Sequence, residues 1–376
     1  MSYPLYVFSS ALVNKAIIDD YEYLRWNIKY RQVDNFELTI NRYKTNVDTL
    51  TAGSIVAFYK NGNWRAGIIE SKELKLSESG KISECWSIIG RGLDGLLAER
   101  IALYNTSSGD GYDNQYDAAE TIMRHYVDVN CISSSDTNRN YSLLDLEADS
   151  ARGSSVYCSA RFQFLSEILE DICLASGLGW NVVLDVINQR LKFRILEGLD
   201  RSWENGVNSV VVFSPEYGNI KLLGYKQSKI TSKTVSYIGG QGEAELRTIQ
   251  EVALDGLTYS ETERREFFID ARDLDTTDKL IQRGNERLVE LGVEEVMEFE
   301  NLNTGPFEFE TDFNMGDIVT VIYPGISTMN TRIIEVIEEI TPENLISDKL
   351  IVGRQYPDLI YLLQDSRKNI NPEIRR

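Results

Sequence analysis

Gly53-Ser54-Ile55-Val56 opens a stretch that runs through Tyr59 and Gly62 to Arg65 and Ile68-Ile69-Glu70, and Gly316-Asp317-Ile318-Val319 opens a second that runs through Tyr323 and Gly325 to Arg332 and Ile333-Ile334-Glu335. Each reads as a strand, a glycine-containing turn and a returning strand. Each lies downstream of an alternating segment: Phe36–Ile40 in the first case and Phe307–Thr311 in the second, the latter within a β-rich stretch Phe307–Phe313. Any two hairpins share some of these features. The sharper reading is a duplicated β-barrel domain, and an internal repeat changes the whole fold assignment. Duplication predicts that Gly53–Glu70 and Gly316–Glu335 are structurally equivalent.

Outward from these hairpins the chain divides by character. Leu24, Trp26 and Ile28 alternate with polar residues, the period of a strand with one buried face. Ser54–Lys60, Trp64–Glu70 and Glu84–Gly90 add short strands, with Asn61-Gly62 as a hairpin turn. Asn105–Tyr116 reads as an exposed boundary, followed by a helix starting at or near Asp117 and running to about Val129. Phe162–Ala175 has helical spacing and Gly177 is placed to end it. Trp180–Val186 and Leu191–Leu196 then read as strands. The fold class expected is mainly β, two β-barrel domains with an inserted α+β lobe. The boundaries are 1–105 for the first barrel and 106–205 for the insertion. Residues 206–262 hold strands returning to the barrel ring. A second barrel with a helix near 275–291 occupies 263–356, and a C-terminal arm 357–376.

With 376 residues the chain is long enough for two or three domains. Its formal net charge of −19 and the lack of a clustered basic face argue against gripping a polyanion. Cys85, Cys131, Cys158 and Cys173 show no CxxC spacing, so free thiols are expected rather than zinc. No apolar run approaches the ~20 residues of a membrane span, and the N-terminus lacks the basic region of a signal peptide.

Catalytic motifs are sparse. His125 is the single histidine, and no GxSxG or HExxH string accompanies it. It is expected to be an ordinary packing or surface residue. Asp270 and Asp273 could in principle form a glycosidase pair, a weak signal among 58 carboxylates. Asp110, Asp113, Asn114 and Asp117 hint at calcium but depart from the DxDxDG loop. Gly239-Gly240-Gln241-Gly242 follows a strand, yet lacks the spacing of a phosphate loop and suits a bulge or sharp turn better. No catalytic, cofactor or metal residue is assigned.

Several strings, in order, resemble one family. Tyr23-Leu24-Arg25-Trp26 and Gly90-Arg91-Gly92-Leu93 come first. Gly198-Leu199-Asp200-Arg201-Ser202, Val212-Phe213-Ser214 and Gly218-Asn219-Ile220 follow. Val235–Glu243 contains Gly239, Gly240 and Gly242, with Arg247 soon after. Glu263–Leu274 and Gly316-Asp317-Ile318-Val319 close the series. Together they resemble the short tail-tip hub proteins of siphophages and prophages of Gram-positive bacteria, similar in fold to the central hub of contractile phage tails. The resemblance implies a homotrimer forming a pseudo-sixfold ring at the distal end of the tail tube. It also implies partners: distal tail protein, tail tube and tape-measure proteins, receptor-binding or fibre proteins, and phage DNA passing through an acidic or neutral channel without specific binding. The implied location is the virion tail tip and the implied role is not enzymatic. The competing readings are a tail-associated cell-wall hydrolase, as in relatives with a C-terminal extension, and the equivalent hub of a bacterial injection machine.

Overall fold

The computed structural model describes residues 3–74, 83–104, 111–242, 246–272, 274, 276–302, 305–343 and 345–354. The C-terminal arm, Asp110 and Asp273 lie outside the described residues. The chain forms two compact units, one of 1–224 with 298–352 and the other built on Tyr225–Met297.

In the first unit, seven strands come first: β1 (Leu5–Phe8), β2 (Asn14–Ile18), β3 (Tyr23–Lys29), β4 (Asn35–Asn41), β5 (Ile55–Lys60), β6 (Asn63–Glu73) and β7 (Cys85–Gly92). The alternation read in β3 and β4 is structural. Leu24, Trp26, Ile28, Phe36, Leu38 and Ile40 all face inward, and Trp26 stacks on Phe36 with centroids 4.7 Å apart.

Next comes the α+β lobe: α1 (Gly95–Ala98), β8 (Asp113–Ala118), α2 (Ala119–Cys131), β9 (Leu144–Leu146), β10 (Ser155–Ala160), α3 (Leu165–Ser176), β11 (Gly179–Asp185) and β12 (Arg190–Leu196). The expected boundary loop ending at Tyr116 is corrected here. Asp113–Ala118 pairs antiparallel with β10 as a strand. Leu165, Ile168, Leu169 and Ile172 of α3 bury one stripe, and Gly177 ends the helix at φ 77°. The lobe shares a core with the first strands: Phe8, Ile55, Ala57 and Ala66 join Ile122, Tyr126, Leu169 and Trp180 in one apolar cluster.

The chain returns through β13 (Val212–Phe213) and β14 (Ile220–Ser228). The second unit follows with β15 (Val235–Gly239), β16 (Ile249–Ala253), β17 (Glu266–Asp270) and α4 (Thr277–Glu290). β15 lies between antiparallel β16 and parallel β17. Then come β18 (Glu294–Asn301), β19 (Ile318–Tyr323), β20 (Ser327–Ile340) and β21 (Leu345–Arg354).

The main sheet runs β14-β18-β21-β20-β3-β4-β7-β6-β5-β1-β2, with β19 pairing β20 and β13 pairing β19. Two similar paths lie within it, differing at their first step, where β1 runs antiparallel to β5 and β13 runs parallel to β19. The first is β1-β5-β6-β7-β4-β3 and the second is β13-β19-β20-β21-β18-β14. Their strands come in the same order along the chain, except that the second unit's elements intervene between β14 and β18. The molecule is mainly β, and among the described residues no sheet closes on itself. The expected barrels are therefore open strand paths sharing one sheet.

The Phe307–Phe313 strand is a second correction. Glu310 adopts φ 67°. The Asp312 N–H donates to the Glu308 carbonyl at 2.9 Å, and the Asp312 carboxylate accepts from the Glu308 N–H at 2.8 Å. The segment is a turn that delivers Phe309 and Phe313 into a cluster around Phe213. Apolar alternation here serves a turn with two inward rings, because Asp312 supplies a local hydrogen bond that competes with a strand ladder.

Candidate functional site

The two hairpins match in detail. The Gly53 N–H donates to the Ile69 carbonyl at 2.8 Å and the Ile69 N–H to the Ser54 carbonyl at 2.9 Å. In the second path the Gly316 N–H donates to Ile333 at 3.1 Å and the Ile333 N–H to Asp317 at 2.9 Å. A bulge follows at the same place in both, between Ile69 and Ser71 against β7 and between Ile333 and Glu335 against β21. One extra turn residue separates the two numberings: β5 and β6 are joined by Asn61-Gly62, β19 and β20 by three residues.

The paths meet where β20 pairs antiparallel with β3. Lys29 sits opposite Glu335 and Arg25 opposite Glu339, so basic residues of one path face acidic residues of the other. Beneath this joint lies a buried ionic cluster. Lys60 Nζ is 2.5 Å from Glu338 Oε1 and 3.6 Å from Asp348 Oδ1. Arg65 reaches Glu310 at 2.7 Å and Glu338 at 3.4 Å. Burial raises Glu338, but Arg65 and Lys60 outweigh it and hold the carboxyl below its usual value. With two cations facing Glu338 and Glu310, Asp348 is the third carboxylate, and burial pushes it up to about 7. The sequence reading missed this cluster. Its available signal was Glu338 at period two between the apolar Val336 and Ile340.

Seven of the motif residues converge on the second path. Gly198 passes Gly316 so closely that a Cβ on Gly198 would stand 1.7 Å from the Gly316 carbonyl oxygen. Asp317 is buried and accepts from the Leu199 N–H at 2.7 Å, Arg201 Nε at 2.7 Å and the Asn314 N–H at 2.9 Å. Asp200 bridges to Ile318. Asn219 accepts from the Ser214 N–H and donates to the Val212 carbonyl, which holds β13 and Phe213 in place. Trp26 belongs to the core of the first path. Gly239, Gly240, Gly242 and Arg247 lie in the second unit, where Arg247 donates to the Gly239 and Gly240 carbonyls at 2.8 and 3.1 Å and to Asp270 at 2.5 Å. The glycine segment thus turns carbonyls toward a guanidinium, opposite in sign to a phosphate cradle.

The other candidates are occupied by packing. His125 Nε2 is 2.9 Å from Asp113 Oδ2 and 3.0 Å from Gln115. His125 and Gln115 outweigh burial and hold the Asp113 carboxyl below its usual value. Asp117 accepts from the Ala118 N–H and Asn114 from the Tyr157 hydroxyl. Among the described residues no group of three or more His, Cys, Asp or Glu is placed to hold a metal, and no helix is long and apolar enough to cross a membrane. Cys131 and Cys173 are buried, Cys85 and Cys158 partly so, and all four are free thiols.

The fold is similar to those of several solved tail proteins. It resembles the 43 kDa tail protein of prophage MuSo2 from Shewanella oneidensis (TM-score 0.58, 14% identity, 95% of this chain and 99% of that one). It also resembles the prophage tail protein gp18 from Listeria monocytogenes (0.55, 12%, 98% and 99%) and a tail protein from Neisseria meningitidis (0.55, 14%, 95% and 100%). The chain belongs to the Siphovirus ReqiPepy6 Gp37-like protein family, whose model matches residues 4–353. No curated protein matches the sequence.

Proposed function

We propose that the chain is the structural hub of a phage tail tip. Three copies form a pseudo-sixfold ring that closes the distal end of the tail tube, with a channel for DNA exit. The observation that carries this reading is the duplicated path. A sixfold tube can be matched by three chains only if each offers two similar blocks, because a closed ring repeats its contacts at every step. The family membership and the tail-protein fold support it. Distal tail protein, tube and tape-measure proteins would meet one side of the ring, and receptor-binding or fibre proteins the other. The lobe of residues 106–205 would stay outside the lumen, and the channel wall would be acidic or neutral, consistent with a formal charge of −19 per chain. The role is structural rather than enzymatic: His125 and Asp270 are both engaged in local hydrogen bonds. Light scattering on the chain and on tails containing it tests the reading. A mass of three times 42.8 kDa, 128.4 kDa, is expected for the assembled species, and a stable dimer would overturn it.

A further inference from the structure

Beside the buried ionic cluster, strands β3, β6 and β11 and the turn at Phe309-Glu310 line a cavity of about 290 Å³. It lies wholly within the first unit. Its volume is close to the lower end of the range for small-molecule sites, about 300–1,000 Å³. Two polar groups on its wall, the Trp26 Nε1–H and Asn181 Oδ1, have no hydrogen-bond partner among the described residues. Trp26 is only 1% exposed, and the Asn181 oxygen is itself buried. Buried polar groups in folded proteins are nearly always satisfied, so these two call for a bound molecule.

The two groups are opposite in kind. An indole N–H only donates and an amide oxygen only accepts. A carboxylate or phosphate would suit the first and repel the second, and an ammonium the reverse. A hydroxyl both accepts and donates, so neutral hydroxyls suit both. The charges on the wall point the same way, because the protein answers them itself. Arg65 pairs with Glu310 at 2.7 Å, Arg194 lies 3.7 Å from Glu147, and Lys29 faces Glu335 across the joint. Burial and the Asp94 carboxyl raise Asp34 well above the usual carboxylate range, which disfavours a negative charge there. Water alone is a poor filling. About ten molecules would be needed at roughly 30 Å³ each, and those against the Trp64 and Phe309 rings would lack the polar partners that a buried water requires. Tyr6 and Tyr59 brace Trp64, with ring centroids 5.2 and 5.4 Å away, so it is a fixed apolar wall. A ring with C–H faces and hydroxyls on its rim fits both kinds of wall.

We propose that this cavity binds one uncharged, hydroxyl-bearing ring, the chemistry of a single pyranose. Its hydroxyls accept from Trp26 Nε1 and donate to Asn181 Oδ1, and its C–H face lies against Trp64 and Phe309. The volume suits one such unit, either a free sugar or the end unit of a glycan. The site belongs to one chain and does not depend on how many copies assemble.

The indole N–H resonances of the isotope-labelled full chain test this directly. Trp26 and Trp64 are on the cavity wall, while Trp86, Trp180 and Trp203 are not. Trp180 Nε1 already donates to the Arg31 carbonyl at 2.8 Å and serves as an internal reference. Phe substitutions at Trp64, Trp86, Trp180 and Trp203 assign their signals, and the one left among the 5 tryptophans is Trp26. Glucose, galactose and N-acetylglucosamine are titrated as reducing sugars and as methyl glycosides. Sorbitol is the open-chain control and glucuronate the charged one. At least one neutral pyranose should shift the Trp26 signal saturably, with a Kd on the order of 1 mM or tighter, and leave Trp180 and Trp203 in place. Binding by the reducing form alone identifies a free sugar, and binding by the methyl glycoside a glycan end. Asn181→Leu, provided that it melts with the wild type, should weaken binding by about tenfold or more. No shift at Trp26 from any neutral pyranose up to about 10 mM, an equal response to sorbitol or glucuronate, or unchanged affinity in a folded Asn181→Leu chain overturns the proposal.

Discussion

The two strand paths share strand order, the hydrogen bonds of their hairpins and a bulge, yet differ in the direction of their first pairing and in what surrounds their opening glycines. Around Gly53 a Cβ would meet nothing within 4 Å, whereas around Gly316 it would stand 2.1 Å from the Tyr30 ring. Ser54, the residue after Gly53, offers a hydroxyl to its neighbours Thr51 and Thr49. Asp317, at the same place in the second path, ties down Leu199, Arg201 and Asn314. The first path is closed locally by its own turn and packs a lobe. The second must also anchor a chain returning from that lobe, and it does so with a buried carboxylate and close backbone contact. The two hairpins thus share a hydrogen-bonded skeleton, while their side chains differ with what each has to hold.

The largest effect that would separate the two paths is at the close approach. Gly198→Ala and Gly316→Ala should each cost more than about 4 kcal/mol or prevent folding, since a backbone oxygen in the first case and a buried ring in the second must move. Thermal or urea denaturation measures this. Near-neutral variants would mean that the return chain is not pinned against the second path.

Asp317→Ala is expected to cost about 3–5 kcal/mol, because it leaves Arg201 beside an empty site and two backbone donors unpaired. The equivalent Ser54→Ala should cost about 1 kcal/mol. Equal losses at the two positions would erase the proposed difference in role.

Much of this was legible in sequence, for definite reasons. A hairpin needs glycine where φ is positive and apolar residues at period two, so both hairpins were visible as strings. The pairing of β3 with β20 was not, because its partners are about three hundred residues apart and period two does not name a partner. Phe307–Phe313 misled for the same reason: alternating rings fix which side is apolar, while Asp312 and the positive φ of Glu310 decide that the chain turns. Asp200, Arg201 and Asp317 were found as strings of a family resemblance. That Arg201 and Asp317 form one ion pair required the fold.

A pH experiment sharpens the comparison at the joint itself. Asp348 has a folded pKa of about 7, raised by burial from an ordinary carboxylate value. A raised folded pKa means that its contribution to stability is complete below the unfolded pKa, near 4, and is lost as pH rises through about 7. Glu338, held low, acts oppositely and loses its contribution as pH falls through its folded value. Asp348→Asn removes the first effect and leaves the second. Between pH 6 and pH 8 the wild type should therefore lose stability relative to this variant, by on the order of 1 kcal/mol. Parallel melting curves for the two proteins over that window would place Asp348 outside the ionic cluster.

The smallest expected effect is at Gly53. It sits at φ 83°, close to the 88° of Gly316, but in open space. Gly53→Ala therefore meets only the intrinsic cost of a side chain in the left-handed region, about 1 kcal/mol. Because Gly316→Ala carries the same backbone strain plus the collision with Tyr30, the difference between the two variants isolates the contact from the conformation. Pairing each glycine change with Tyr30→Ala makes the separation explicit. Tyr30→Ala should recover part of the loss in Gly316→Ala and none of the loss in Gly53→Ala, since sites that share no contacts add independently. Equal recovery at both positions would show that Tyr30 acts on the whole sheet rather than on the second hairpin.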